Sequence, residues 1–273
     1  MLGAGALALA LAGPVGAHEG LHEQIAAVTA RIAQDPGSAE LYLKRADLRR
    51  IHEEWNGALG DYRTAERRSP ALVGIPLGRG LLWLARGRNE QAKTELDKVI
   101  LAAPNHVEAL VARARAFAGL GKGTESAADF STAIAVAQQP EPEWYLERAH
   151  ALVASGADRW EEAISGLDEG LRRFGLLPTL GLYAVELEQA RGKVDAAIAR
   201  LDVLRANASR QESWWERIGD VQIKAGRTDE ARQSYANAQK ACSELPARIR
   251  GTASQQALET RLAEKLAALT PPG

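Results

Sequence analysis

The first regular pattern of apolar and polar positions in the chain is that of one helix face. Leu21, Ile25, Val28 and Ile32 recur at spacings of four, three and four. Residues at these spacings lie above one another on an α-helix, so they would form one apolar stripe. The pattern predicts an amphipathic helix over residues 18–34, ahead of everything that follows.

Prolines then recur with a constant period. Pro36, Pro70 and Pro104 stand 34 residues apart. Between them the same order repeats: a helix with a small residue in its middle, a tight turn, and a second helix with a small residue near its start. A fixed period of this length is typical of a helical repeat array, in which each pair of helices packs on its neighbours.

Within a unit, small and bulky residues follow a fixed order. A bulky residue and a small one mark the first helix, and an alanine, an aromatic and another small residue mark the second. Helices approach closely only where side chains are small, and large residues fill the grooves beside the contact. The first unit has this order at Tyr42, Ala46, Ala58, Tyr62, Ala65 and Pro70.

Five further units follow, of which the third to fifth drift from this order and the sixth recovers it. A glycine marks the turn in each of the five. A helix often ends on a residue in the left-handed conformation, which glycine adopts most easily. The first unit has Glu53 at this place, and the fourth has a turn lengthened by two residues before Ala163. The turn glycines are Gly87, Gly121, Gly156, Gly192 and Gly226.

The end of the chain, residues 245–273, predicts a closing helix and a frayed tail. Thr252 and Gln255 have the spacing of a capping box. The helix would lay one apolar stripe on the last unit and expose charged residues elsewhere. The stripe consists of Leu258, Leu262, Leu266 and Leu269.

The six units, over residues 38–244, resemble the tetratricopeptide repeat, a pair of antiparallel helices. The resemblance implies an all-α, right-handed α-solenoid of about six helix-turn-helix units. Residues 18–37 and 245–273 would then cap its two ends. It also implies a non-catalytic scaffold or adaptor, without a cofactor, that binds a partner protein or peptide.

In proteins of this family the first helix of each unit lines a concave groove that holds the partner. Some members bind a C-terminal carboxylate through Lys and Asn at two of these positions. This chain has Leu43 and Asp47 there, so we expect no such clamp. Leu77, Leu81 and Leu84 would either line the groove or pack against neighbouring helices. The groove positions are Leu43, Asp47, Arg50, Leu77, Leu81, Leu84, Val111, Arg115, Leu146, His150, Leu182, Glu186, Glu216 and Asp220.

The N-terminal stretch, residues 2–17, is apolar and uncharged. It is short for a membrane span and fits the apolar region of a secretory signal. Val15-Gly16-Ala17 supplies the small residues of a cleavage site, although no Lys or Arg precedes the stretch. We therefore expect residues 1–17 to be a signal peptide and the protein to be periplasmic. An uncleaved membrane anchor is the alternative.

Charge and cysteine content narrow the class of partner. The net charge is −1 and no long run of one sign occurs. Nucleic-acid binding would favour a clustered basic face, so we expect a protein partner of the cell envelope instead.

The single cysteine, Cys242, excludes an internal disulfide and is expected to be a small, partly buried helix residue.

The segment HEGLH brings two histidines, His18 and His22, into the spacing of a zinc motif. No enzyme domain surrounds it, so we expect neither a metal nor catalysis. A metal-binding or metalloenzyme role through this segment is one alternative, and a structural subunit of a larger envelope complex is another. The remaining histidines, in different units, are expected to be solvated or to lie at helix ends, and not to share a site. They are His52, His106 and His150.

Overall fold

The computed structural model describes residues 15–269, and side chains from residue 20 onward. Residues 1–14 of the predicted signal peptide and the side chain of His18 lie outside the described residues. The chain divides into two compact units, Met1–Gln138 and Gln139–Gly273.

Unit 1, Met1–Gln138, is built from helices in its described residues. After a first helix, successive helices pack in pairs: α2 with α3, α4 with α5, and α6 with α7. The helices are α1 (Val15–Gln34), α2 (Ala39–Ile51), α3 (Trp55–Arg68), α4 (Gly74–Ala85), α5 (Asn89–Ala102), α6 (Val107–Gly119) and α7 (Gly123–Val136).

Unit 2, Gln139–Gly273, continues the same scheme. Its pairs are α8 with α9, α10 with α11, and α12 with α13, and α15 packs on α13. Within residues 15–269, the prediction of an all-α chain of six helix pairs is confirmed. The helices are α8 (Pro142–Ser155), α9 (Trp160–Phe174), α10 (Pro178–Ala190), α11 (Val194–Ala206), α12 (Glu212–Lys224), α13 (Thr228–Ser243), α14 (Ala247–Arg250) and α15 (Ala253–Ala268), with a 3₁₀ turn at Ala157–Arg159 in the lengthened loop.

Small residues let bulky ones enter the helix contacts, as predicted. Tyr62 is fully buried, and a Cβ added to Gly78 would stand only 2.4 Å from its Oη. The same pairing occurs in unit 2, where a Cβ on Gly219 would stand 2.4 Å from Cε1 of Tyr235. The backbone approach at these two places therefore requires glycine.

The turn positions also follow the predicted pattern. Glu53 has a positive φ of 62°, close to the 66° to 74° of most of the turn glycines. Gly156 differs, with a φ of 147° before the 3₁₀ turn. Glu53 thus adopts a backbone conformation that is unfavourable for a residue with a Cβ.

The two terminal helices lie on their neighbouring pairs through the predicted stripes. Val28 and Ile32 of α1 are buried against α2. Leu258 and Leu262 of α15 are buried against α13. The capping box predicted at the start of α15 is wrong: the Thr252 side chain makes no cap and donates instead to the carbonyl of Ile249, at 2.7 Å.

In the part of the chain that the structure describes, no helix combines the length and apolar character needed to cross a bilayer.

Candidate functional site

In unit 1, the predicted groove positions lie on α2, α4 and α6, where α4 packs against both other helices. Val111 is only 6% exposed, so its side chain is not available to a partner. Arg115, on the same helix, is exposed. The other predicted positions are half-buried: Leu43, Asp47, Arg50, Leu77, Leu81 and Leu84.

The leucine run of α4 belongs largely to the core. Leu77, Leu81 and Leu84 pack against a buried cluster contributed by α5 and α6. Packing against neighbouring helices, and not lining of the groove, therefore accounts for most of the surface of these leucines. The cluster consists of Ala92, Leu96, Val99, Ala109, Ala112 and Ala116.

Asp47 ties the two helices of its pair together. The Oη of Tyr62 donates to its Oδ1 at 2.7 Å. Burial raises the pKa of Asp47, against the opposing effects of Tyr62 and Arg50. Unit 2 repeats the arrangement, because the Oη of Tyr235 donates to Oδ1 of Asp220 at 2.7 Å. Both predicted positions therefore also have a structural role.

A groove of about 190 Å³ lies between α10 and α12 in unit 2. Its base is apolar and buried, and charged side chains stand at its rim. Leu182, Glu186 and Asp220 were predicted from the repeats, and the structure brings these three together. The remaining lining residues are Val185, Gln189, Leu201, Arg217, Val221 and Lys224.

Glu216, also predicted for the groove, lies elsewhere. It is 8% exposed and accepts hydrogen bonds from Arg261 at 3.2 Å and Lys265 at 2.9 Å, both on α15. Burial opposes its ionisation, but these two cations outweigh that effect and lower the pKa of Glu216. Glu216 therefore contacts the closing helix α15. This corrects the prediction that it lines the groove.

The basic rim residues of the groove were missed. Arg217, Asp220 and Lys224 follow at spacings of three and four on α12, and all three line the groove. The face of α12 that lines the groove is thus rotated by about one residue from the prediction. The spacing of these charges was the available signal, but a charged face on a helix is usually simply solvated.

On α8, the predicted positions Leu146 and His150 are half-buried and exposed, respectively. The His150 ring lies 4.2 Å from the ring of Tyr183 on α10, centroid to centroid. This contact joins α8 and α10, the first helices of two successive pairs in unit 2.

The histidines are not all separate. His106 caps α6, since its Nδ1 accepts from the backbone N–H of Ala109 at 3.3 Å. His52 follows the end of α2, but its ring also lies 4.1 Å from that of His22 on α1, centroid to centroid. His52 therefore lies at a helix end, as expected, and its contact with His22 was not predicted. With Glu54, these two rings form a cluster of groups able to bind a metal.

Comparison with known families finds the tetratricopeptide repeat. The family model matches residues 77–142 and 184–246. No curated protein sequence matches the chain significantly.

Several solved structures share the fold. A tetratricopeptide repeat protein from Parabacteroides merdae is 17% identical, with a TM-score of 0.53, over 91% of this chain and 92% of that one. The C-terminal part of a repeat-containing protein from Cytophaga hutchinsonii is 14% identical, with a TM-score of 0.58, over 93% and 92%. Pseudomonas aeruginosa pilF is 12% identical, with a TM-score of 0.51, over 84% and 99%. At these identities the likeness concerns the fold alone.

Proposed function

We propose that this chain, in which two segments match the family model of the tetratricopeptide repeat, is a non-catalytic scaffold that binds a segment of a partner protein between α10 and α12. The observation that carries the proposal is the groove itself: an apolar base with charged side chains at its rim. Clefts of this kind bind an apolar anchor and orient it by a few polar contacts.

The charges at the rim suggest the chemistry of the bound segment. Asp220 is already paired, because Nζ of Lys265 lies 2.6 Å from its Oδ1. Arg217 and Lys224 form no ion pair within the described residues, and they outnumber the remaining acidic rim residue, Glu186. A segment with an apolar side chain over Leu182 and a carboxylate near the two basic residues would therefore fit.

Affinity capture from an envelope extract tests the groove. The double variant Arg217→Glu, Lys224→Glu should lower recovery of the partner by about fivefold or more, because it replaces attraction by like-charge repulsion. Lys240→Glu, an exposed lysine on α13, is the matched control and should behave as wild type. Equal recovery by all three proteins would refute groove binding and favour a structural subunit that uses another surface.

We place this function in a bacterial cell envelope, with residues 1–17 removed as a signal peptide. The apolar, uncharged stretch and the small residues at Val15-Gly16-Ala17 support this location. The extract for the capture experiment should accordingly be periplasmic, and the recovered chain should begin at His18. An uncleaved chain in the membrane fraction would favour an anchored protein.

A further inference from the structure

Two imidazoles and a carboxylate meet beside the first turn of unit 1. His22 lies on α1, while His52 and Glu54 flank the turn between α2 and α3. One ligand atom from each lies within 4.8 Å of the other two. We propose that these three side chains form a binding site for a divalent transition-metal ion, with Zn²⁺ as the principal candidate.

The donor set suits zinc. Zn²⁺ takes imidazole nitrogen and carboxylate oxygen at about 2.0–2.2 Å, and two histidines with one glutamate leave a fourth position for water. Two ligands of one tetrahedral ion are then about 3.3 Å apart. Nδ1 of His52 and Oε1 of Glu54 are already 3.2 Å apart. His22 is exposed, so a rotation of its side chain can complete the set.

The repeat architecture does not require these residue types. At the four equivalent turns with φ between 66° and 74°, the left-handed residue is glycine, and the position of Glu54 is taken by a basic residue that would repel a cation. Only the first turn places a histidine and a carboxylate on either side of the left-handed residue. The equivalent turns read Arg86-Gly87-Arg88, Leu120-Gly121-Lys122, Arg191-Gly192-Lys193 and Ala225-Gly226-Arg227.

A neighbouring cation orients the carboxylate. Nε of Arg49 lies 3.5 Å from Oε2 of Glu54, and its Nη1 is bound by Asp61 at 2.7 Å. Glu54 can therefore offer Oε1 to the ion while Oε2 faces Arg49. Contacts of this outer kind hold metal ligands in position.

The ion would join α1 to the first helix pair. The apolar stripe of α1 already packs on α2, and a metal shared by His22, His52 and Glu54 would add a second attachment at the turn. Because an ion that binds only the folded protein stabilises it by mass action, Zn²⁺ should raise the melting temperature.

Titration of the metal-free, untagged mature chain with Zn²⁺ tests the site. We expect one ion per chain in calorimetry and a melting temperature raised by several degrees. His22→Gln and Glu54→Gln should each weaken binding by more than about tenfold. His150→Gln, which changes a histidine outside the site, is the control and should bind as wild type.

Circular dichroism of the metal-free variants checks that they fold. We expect His22→Gln to fold as the wild type does, because His22 is exposed. Absence of Zn²⁺ binding to the wild type would overturn the proposal. So would binding that survives both His22→Gln and Glu54→Gln. A further variant, His18→Gln, separates this site from the HEGLH segment: loss of binding in that variant, with retention in Glu54→Gln, would also overturn the proposal.

Discussion

At the scale of the residue, the chain depends on a few positions where one methyl group matters. Ala58 is fully buried in the contact between α2 and α3, beside Tyr62 and Ala65. Protein interiors are close-packed, so added atoms at such a position must displace neighbours. The small residues of the repeat are therefore a packing requirement.

Ala58→Leu should lower the free energy of unfolding by about 1–3 kcal/mol, because it overpacks this contact. Urea denaturation followed by circular dichroism measures the change. Ala118→Leu, at an exposed position on α6, is the control and should stay within about 0.5 kcal/mol of wild type. Equal stability of Ala58→Leu and wild type would contradict the packing described for this pair.

Glu53 occupies the left-handed turn position at which the other five units have glycine. The left-handed conformation costs about 1–2 kcal/mol in a residue with a Cβ. Glycine avoids this cost, but it makes the unfolded chain more flexible, which offsets about half of the gain. Glu53→Gly should therefore raise the free energy of unfolding by up to about 1 kcal/mol. Glu53→Ala keeps the Cβ and should show no gain in the same denaturation experiment; an equal gain would assign the effect to the lost charge instead.

At the scale of the element, the closing helix α15 is held by leucines and by one buried carboxylate. The pKa of Glu216 is lowered in the folded protein: burial opposes its ionisation, and Arg261 and Lys265 more than compensate. A depressed pKa contributes stability above the ordinary value of about 4.3, and that contribution is lost as the pH falls through the folded value. Attachment of α15 should therefore weaken below about pH 4.

Glu216→Gln should loosen α15 at neutral pH and reduce its acid dependence. Cys242, which is 2% exposed beneath α15, reports the opening, since burial also raises the pKa of its thiol. Labelling of this thiol by a disulfide reagent should become several-fold faster in the variant. Glu264→Gln, an exposed position on α15, should label at the wild-type rate. Identical rates in both variants would show that the leucine stripe alone holds the helix.

At the scale of the whole molecule, the predictions that rest on repeat period and residue size were confirmed. The helix pairs, the left-handed turn residues and the leucine stripe of α15 all follow from neighbours within one unit, where period and residue size are visible in the sequence. The capping box at Thr252 was wrong because its spacing permits the side-chain bond without requiring it. The face of α12 was misplaced because it depends on the packing of α15 and α10, which the repeat pattern does not encode.

The sequence by itself determined the all-α class, the six pairs and the positions that must stay small, because these depend on period and volume. Only the tertiary structure decided which charges meet. It turned Glu216 toward α15 and left Arg217 and Lys224 beside an apolar base. It also brought His22 to His52 and Glu54. The physical reason is distance along the chain: a side-chain contact between residues far apart depends on how whole helices dock, and spacing within one helix does not specify that.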